Sequence, residues 1–132
     1  MNKNSYSVDM KVRDYECDMQ GIVNNAIYQH YLEHARHEFL LASGLNFPEF
    51  TAAGTIIVVV RAELDYHSSL RANDQFRVSV EMFRESRIRI GFRQQILRLP
   101  DETPVLTARI ITTAVGKNNR PYFPDELGSL IP

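Results

Sequence analysis

A single long helical pattern standing among β-rich stretches limits this chain more than any other feature. From Asn25 to about Ser43, apolar or small residues recur at Tyr28, Tyr31, Leu32, Ala35, Phe39 and Ala42, while Gln29, Glu33, Arg36, His37 and Glu38 occupy much of the other side. The spacing predicts a helix of about five turns. Asn24 or Asn25 suits its N-cap, because a short amide side chain accepts from the free N–H groups of a first turn, and Gly44 suits its end. Ahead of it, the partial alternation of Tyr6, Val8, Met10 and Val12 predicts a first strand over Tyr6 to Tyr15. Behind it come "NFPEFTAAG", read as a loop, and four β-rich stretches: Thr55 to Tyr66, Gln75 to Arg84, Arg87 to Leu99 and Val105 to Gly116. The separators "RAND", "ES" and "PDETP" carry turn residues. The first of the four, "TIIVVVRAELDYH", is apolar and then alternates, so it is expected deep in the sheet.

Strand, long helix, then four strands on short connections pack most simply as an α+β fold, with one five-stranded antiparallel sheet wrapped around the helix. Residues 1–132 read as a single domain, and 44% apolar residues suffice for its core. One helix covers only one face and an edge strand stays unpaired, so a homodimer that continues the sheet is expected. A formal charge of -1 gives no ground for nucleic acid or an anionic membrane as partner. Cys17 is the only cysteine, which excludes an internal disulfide. The polar start "MNKNSYSVDM" lacks a signal-peptide core, and no apolar run approaches the roughly 20 residues of a membrane span, so a cytoplasmic protein is expected.

The segment "DYECDMQGIVNNAIYQHYLEHAR" carries a more specific signal: an aspartate, two variable residues, a glycine, two aliphatics and a tyrosine-bearing helix, here Asp18, Gly21, Ile22, Val23 and Tyr28. It resembles the opening motif of the hotdog-fold acyl thioesterases of the 4-hydroxybenzoyl-CoA thioesterase type. "VNNA" followed by "HARHEFL" is similar to the branch that includes plant and bacterial acyl-acyl-carrier-protein thioesterases. The resemblance implies hydrolysis of acyl-CoA or acyl-carrier protein without a cofactor, in a homodimer or homotetramer. It also implies that the N–H aimed at the thioester oxygen is that of Asn25, seven residues after the aspartate. Many relatives carry a histidine at that position and an asparagine where Ile27 stands here.

The chemistry accounts for the placement. A thioester carbonyl polarised by N–H donors of a helix's first turn is open to attack. A carboxylate just ahead of that turn either activates water or attacks directly to form a mixed anhydride. Gly21 fits between the two, where a tight turn and close approach of substrate both favour a residue without Cβ. Ile22, Val23, Tyr28 and Tyr31 are candidate pocket walls.

Arg87, Arg89 and Arg93 alternate along one predicted strand and point one way, where they suit the phosphates of coenzyme A or of a carrier protein's phosphopantetheine. Arg84 belongs to the same cluster, and Lys117 and Arg120 supplement it. Cys17 has no partner base in the sequence, and His30, His34 and His37 read as a polar helix face rather than metal ligands. Glu33 suits pairing with Arg36 or His37 along the helix and can also line the pocket. Ser68 and Ser69 beside His67 lack the G-x-S-x-G elbow of a serine hydrolase. The alternative in a different class is a non-catalytic hotdog module that binds acyl-CoA.

Overall fold

The computed structural model describes residues 4–131. A strand β1 (Ser5–Lys11) leads through a 3-10 turn (Asp14–Glu16) to the long helix α1 (Asn25–Ala42). A short helix α2 (Phe47–Ala52) follows, then four long strands, β2 (Ile56–Tyr66), β3 (Gln75–Arg84), β4 (Arg89–Leu99) and β5 (Thr103–Val115). The two-residue β6 (Pro121–Tyr122) and one turn of helix, α3 (Asp125–Gly128), close the chain. The sheet is antiparallel in the order β1-β3-β4-β5-β2, with β6 on the end of β5. This is the expected hotdog architecture, a sheet around one helix, with the three short elements added.

Helix α1 begins where the local chemistry places it. The Asn24 side chain accepts from Ala26 N at 3.0 Å, and Asn24 O accepts from Ile27 N. It ends at Gly44, whose φ of +91° is a left-handed value that glycine adopts without strain. Tyr28, Tyr31, Leu32, Ala35, Phe39 and Leu40 are buried against the inner face of the sheet. That face consists of alternate residues: Phe76, Val78, Val80 and Met82 of β3, Ile90, Phe92 and Ile96 of β4, and Leu106, Ala108 and Ile110 of β5.

Four expectations need correction. The first strand ends at Lys11, and the chain then turns through Asp14–Glu16 rather than running on to Tyr15. "NFPEFTAAG" contains α2 instead of a loop, because Asn46 caps it through Glu49 N at 3.4 Å and Pro48 lies in its first turn. Arg36 is buried, not on the polar side; its Nη1 donates to Gln94 Oε1 at 3.0 Å. Finally, β2 lies at the edge of the sheet, paired on one side with β5 alone. Its apolar run is correspondingly open, with Ile56 and Val59 each 51% and Val60 44% exposed.

Leu32 lies fully buried between α1 and the sheet, so Leu32→Ala removes packing that nothing nearby replaces. The variant is expected to lose about 2–5 kcal/mol of unfolding free energy in urea titration. A loss below about 1 kcal/mol would mean that the contact between helix and sheet is not the main source of stability.

Candidate active site

The chain between the 3-10 turn and α1 forms a small hydrogen-bonded loop. Asp18 N donates to Ile22 O at 2.8 Å, Gly21 N to Asp18 O at 3.0 Å, and Asn24 N to Glu16 O at 3.1 Å. Cys17 and Val23 bridge across its neck. The Asp18 side chain takes part in the turn: its Oδ1 accepts from Gln20 N at 2.9 Å and from Ile22 N at 3.4 Å. Its Oδ2 takes no hydrogen bond among the described residues. Gly21 has a φ of +81°, and a Cβ on it would meet nothing within 4 Å, so the glycine answers to the turn rather than to crowding.

The loop is anchored to the connection between β2 and β3 by Val23 N on Leu70 O at 2.8 Å and by a bridge between Ile22 and Arg71. Tyr28 lies one turn into α1, and its hydroxyl accepts from Leu70 N at 3.0 Å. The Tyr31 hydroxyl donates to Glu16 Oε1 at 2.9 Å, and burial together with that carboxylate pushes the Tyr31 phenol far above its ordinary pKa. Tyr31 is therefore a fixed donor that ties α1 to the loop, buried against Phe76 with ring centroids 4.6 Å apart.

Asp18, Ile22, Val23, Asn25 and Tyr28 line one open cavity of about 400 Å³. Four further residues line it that the sequence reading did not assign to a pocket: Tyr66, His67, Ser68 and Ser69, at and after the end of β2. The Tyr66 ring stands edge-on to Tyr28 at 5.6 Å, and its hydroxyl donates to Asn25 O at 3.4 Å. His67 Nε2 pairs with Thr107 Oγ1 at 3.0 Å, and Ser68 Oγ donates to Pro104 O at 2.7 Å, so neither is arranged as a base and nucleophile pair. Asn25 is the first residue of α1, and among the described residues its N–H has no acceptor. That unbonded donor sits at the positive end of the helix dipole.

The remaining candidates lie elsewhere. Arg87 precedes β4 and is held in the turn, its carbonyl accepting from Arg84 Nη2 at 2.8 Å. Arg93 is on the sheet face opposite α1, paired with Glu81 at 3.0 Å and stacked on the Phe83 ring at 4.1 Å. None of Arg87, Arg89 and Arg93 lines the Asp18 cavity of this chain. Cys17 is half-buried beneath the loop. Glu33, Arg36 and Val59 line two adjoining clefts of about 340 and 190 Å³ between α1 and β2, with His30 in the larger and His37 in the smaller. Burial lowers the Arg36 pKa from its usual value, and nearby Glu33 partly offsets that. Among the described residues no helix is long and apolar enough to cross a membrane.

A sheet around one helix, with a carboxylate loop at the helix mouth, defines a hotdog protein of the thioesterase class. Residues 12–131 match the family model of the thioesterase-like superfamily, and the chain belongs to that family. It is 38% identical over 116 residues to the acyl-acyl carrier protein thioesterase ATL3, chloroplastic, of Arabidopsis thaliana, covering 88% of this chain but 61% of the plant protein. It is also 28% identical to the acyl-CoA thioesterase YbgC of Haemophilus influenzae, over 96% of this chain and 94% of that one. The fold is shared with Slr0204, a 1,4-dihydroxy-2-naphthoyl-CoA thioesterase from Synechocystis, at a TM-score of 0.91 and 15% identity, over 96% and 95% of the two chains.

Gly21→Ala places a Cβ on a left-handed backbone with room around it, so its cost is conformational. About 1–2 kcal/mol of stability is expected to be lost in chemical denaturation. An unchanged midpoint would show that the loop relaxes out of this conformation freely.

Proposed function

We propose that this chain hydrolyses acyl thioesters carried on phosphopantetheine, as acyl-CoA or acyl-carrier protein, and that Asp18 and the start of α1 perform the chemistry. One observation carries the reading: a carboxylate oxygen and a helix-terminal N–H, both without partners among the described residues, border the same open cavity. The thioester oxygen accepts from Asn25 N–H, which concentrates positive charge on the carbonyl carbon. Asp18 Oδ2 takes a proton from water as the water oxygen bonds to that carbon. The tetrahedral intermediate then breaks its C–S bond, and the thiolate leaves with the proton that Asp18 held. Direct attack by Oδ2, giving a mixed anhydride that water cleaves, uses the same atoms. Ile22, Val23, Tyr28 and Tyr66 supply apolar and aromatic surface for the acyl group.

The enzyme works in this reading as a homodimer, with the β2 edges of two copies paired. An eleven-residue edge with open Ile56, Val59 and Val60 invites pairing by another strand, and natural edges of that length are usually blocked by charge or proline. The clefts between α1 and β2 lie along the same side of the subunit. Names of relatives support the activity, and the cytoplasmic location expected from the sequence belongs to this reading.

Asp18→Asn retains an oxygen able to accept from Gln20 N and Ile22 N, so the loop is expected to persist. Thiol release from a panel of acyl-CoAs should fall by about 10²–10⁴-fold in kcat, with the melting temperature within a few degrees of wild type. Undiminished turnover would remove Asp18 from the mechanism. Binding of acyl-CoA with no thiol release by the wild-type protein would replace hydrolysis by ligand binding. Sedimentation should give a dimer at micromolar concentration, and a stable monomer would overturn the edge pairing.

A further inference from the structure

Four hydroxyl groups line the Asp18 cavity, and three of them are engaged. Tyr28 accepts from Leu70 N, Tyr66 donates to Asn25 O, and Ser68 donates to Pro104 O. The fourth belongs to Ser69, an exposed residue whose hydroxyl has no hydrogen-bond partner among the described residues. The backbone around it is nevertheless tied down. The Ser69 carbonyl accepts from Arg98 Nη1 of β4 at 3.1 Å. On one side Ser68 N donates to Val105 O at 3.3 Å, and on the other Leu70 N is held by the Tyr28 hydroxyl at 3.0 Å. Only the torsions of the Ser69 side chain itself stay free.

Strand register sets where that side chain lies. Val23 N on Leu70 O and the antiparallel bridge of Ile22 with Arg71 pair the Asp18 loop with the connection between β2 and β3. Continued by one residue, the register puts Ser69 opposite Asn24, the cap of α1. Val23 and Leu70 are buried, at 3% and 0% exposure, so Ile22, Asn24, Ser69 and Arg71 face the other way. Ile22 and Ser69 both line the cavity, as that alternation requires. Residues directly opposite in such a pair have Cβ atoms about 5 Å apart. The Ser69 hydroxyl therefore stands at the mouth of α1, where the unbonded N–H of Asn25 also emerges.

A single N–H is little support for an oxygen that takes up a full charge, and sites for such an oxygen combine several aimed donors. We propose that Ser69 is a catalytic residue, donating its Oγ–H to the thioester oxygen beside Asn25 N–H as that oxygen becomes negative. This rests on the thioesterase reading. Ser69 forms no covalent bond and keeps its proton. The water oxygen still bonds to the carbonyl carbon, Asp18 Oδ2 takes the proton of that water, and the C–S bond breaks with the proton passing to the thiolate. A hydrogen bond that strengthens as charge develops acts on kcat more than on KM.

The test compares wild type with Ser69→Ala and Ser69→Thr. Ser69→Ala removes a hydroxyl that bonds no other group of the protein, so its melting temperature should match that of wild type. Its kcat for thiol release from acyl-CoA should fall by about 10²-fold with KM little changed, and Ser69→Thr, which keeps the hydroxyl, should restore most of the loss. Undiminished kcat in Ser69→Ala overturns the proposal. The second readout is the infrared stretch of an isotope-labelled carbonyl in an acyl-CoA ketone, in which a methylene replaces the thioester sulfur and no cleavage occurs. Wild type should lower that stretch on binding, and Ser69→Ala should lower it less. An equal shift in both proteins overturns the proposal even where turnover falls. Wild type that binds the ketone and leaves its stretch unshifted refutes the thioesterase reading, and the proposal with it. Wild-type turnover by Asp18→Asn refutes the role of Asp18 alone, and the carbonyl shift still decides that of Ser69.

Discussion

The position of α1 on the sheet governs the rest of the molecule, and one polar clamp inside an apolar contact fixes it. Gln94 projects from the middle of β4, where its Nε2 donates to the Leu32 carbonyl at 3.0 Å and its Oε1 accepts from Arg36. Apolar surfaces alone tolerate sliding, since burial is nearly indifferent to register. A buried amide with both ends satisfied on one helix turn is not indifferent: a shift of α1 along its axis strands the amide and the guanidinium without partners. The Arg36 guanidinium also lies 6.0 Å from the Phe92 ring centre, which gives the charge a second favourable neighbour in a poorly solvated place. With α1 fixed in this way, its first turn is fixed as well, and so is the geometry of the loop that precedes it.

How legible was this in the sequence? Strand and helix order, the bounds of α1 and the extent of β3 follow from periodicity, because each element buries one face and repeats accordingly. Asn24, Gly44 and the loop bearing Asp18 follow from short-range chemistry that a neighbour or two decides. Two errors, the end of β1 and the helix α2, are local ones; the others are of a longer-range kind. Arg36 looks like a surface residue until Gln94, 58 positions later, comes to meet it. The apolar start of β2 looks central because a lone chain carries no sign of where its sheet stops. Tyr66, His67, Ser68 and Ser69 carry no local motif for a pocket, and only the closing of β2 beside α1 brings them to Asp18. Arg87, Arg89 and Arg93 form one row by their spacing in the sequence; the turn that holds Arg87 and the Glu81 partner of Arg93 divide them.

The loop at the helix mouth also removes an apparent choice. Asp18 is both a turn-former and, in the proposed chemistry, the acid, and neither role excludes the other. Its two oxygens divide the work. Oδ1 is occupied by Gln20 N and Ile22 N, and those bonds hold the carboxylate plane against the backbone of its own turn. Oδ2 is thereby held in a set direction without the rotational freedom a surface carboxylate ordinarily keeps. For a group that must meet a carbonyl carbon or a water at a defined angle, such fixing lowers the entropic part of the barrier. Gly21 belongs to the same device, since its left-handed φ turns the chain so that Ile22 N meets Asp18 Oδ1 and Ile22 O accepts from Asp18 N. In the proposed chemistry the structural and catalytic roles of Asp18 therefore support each other: the turn is what aims the acid.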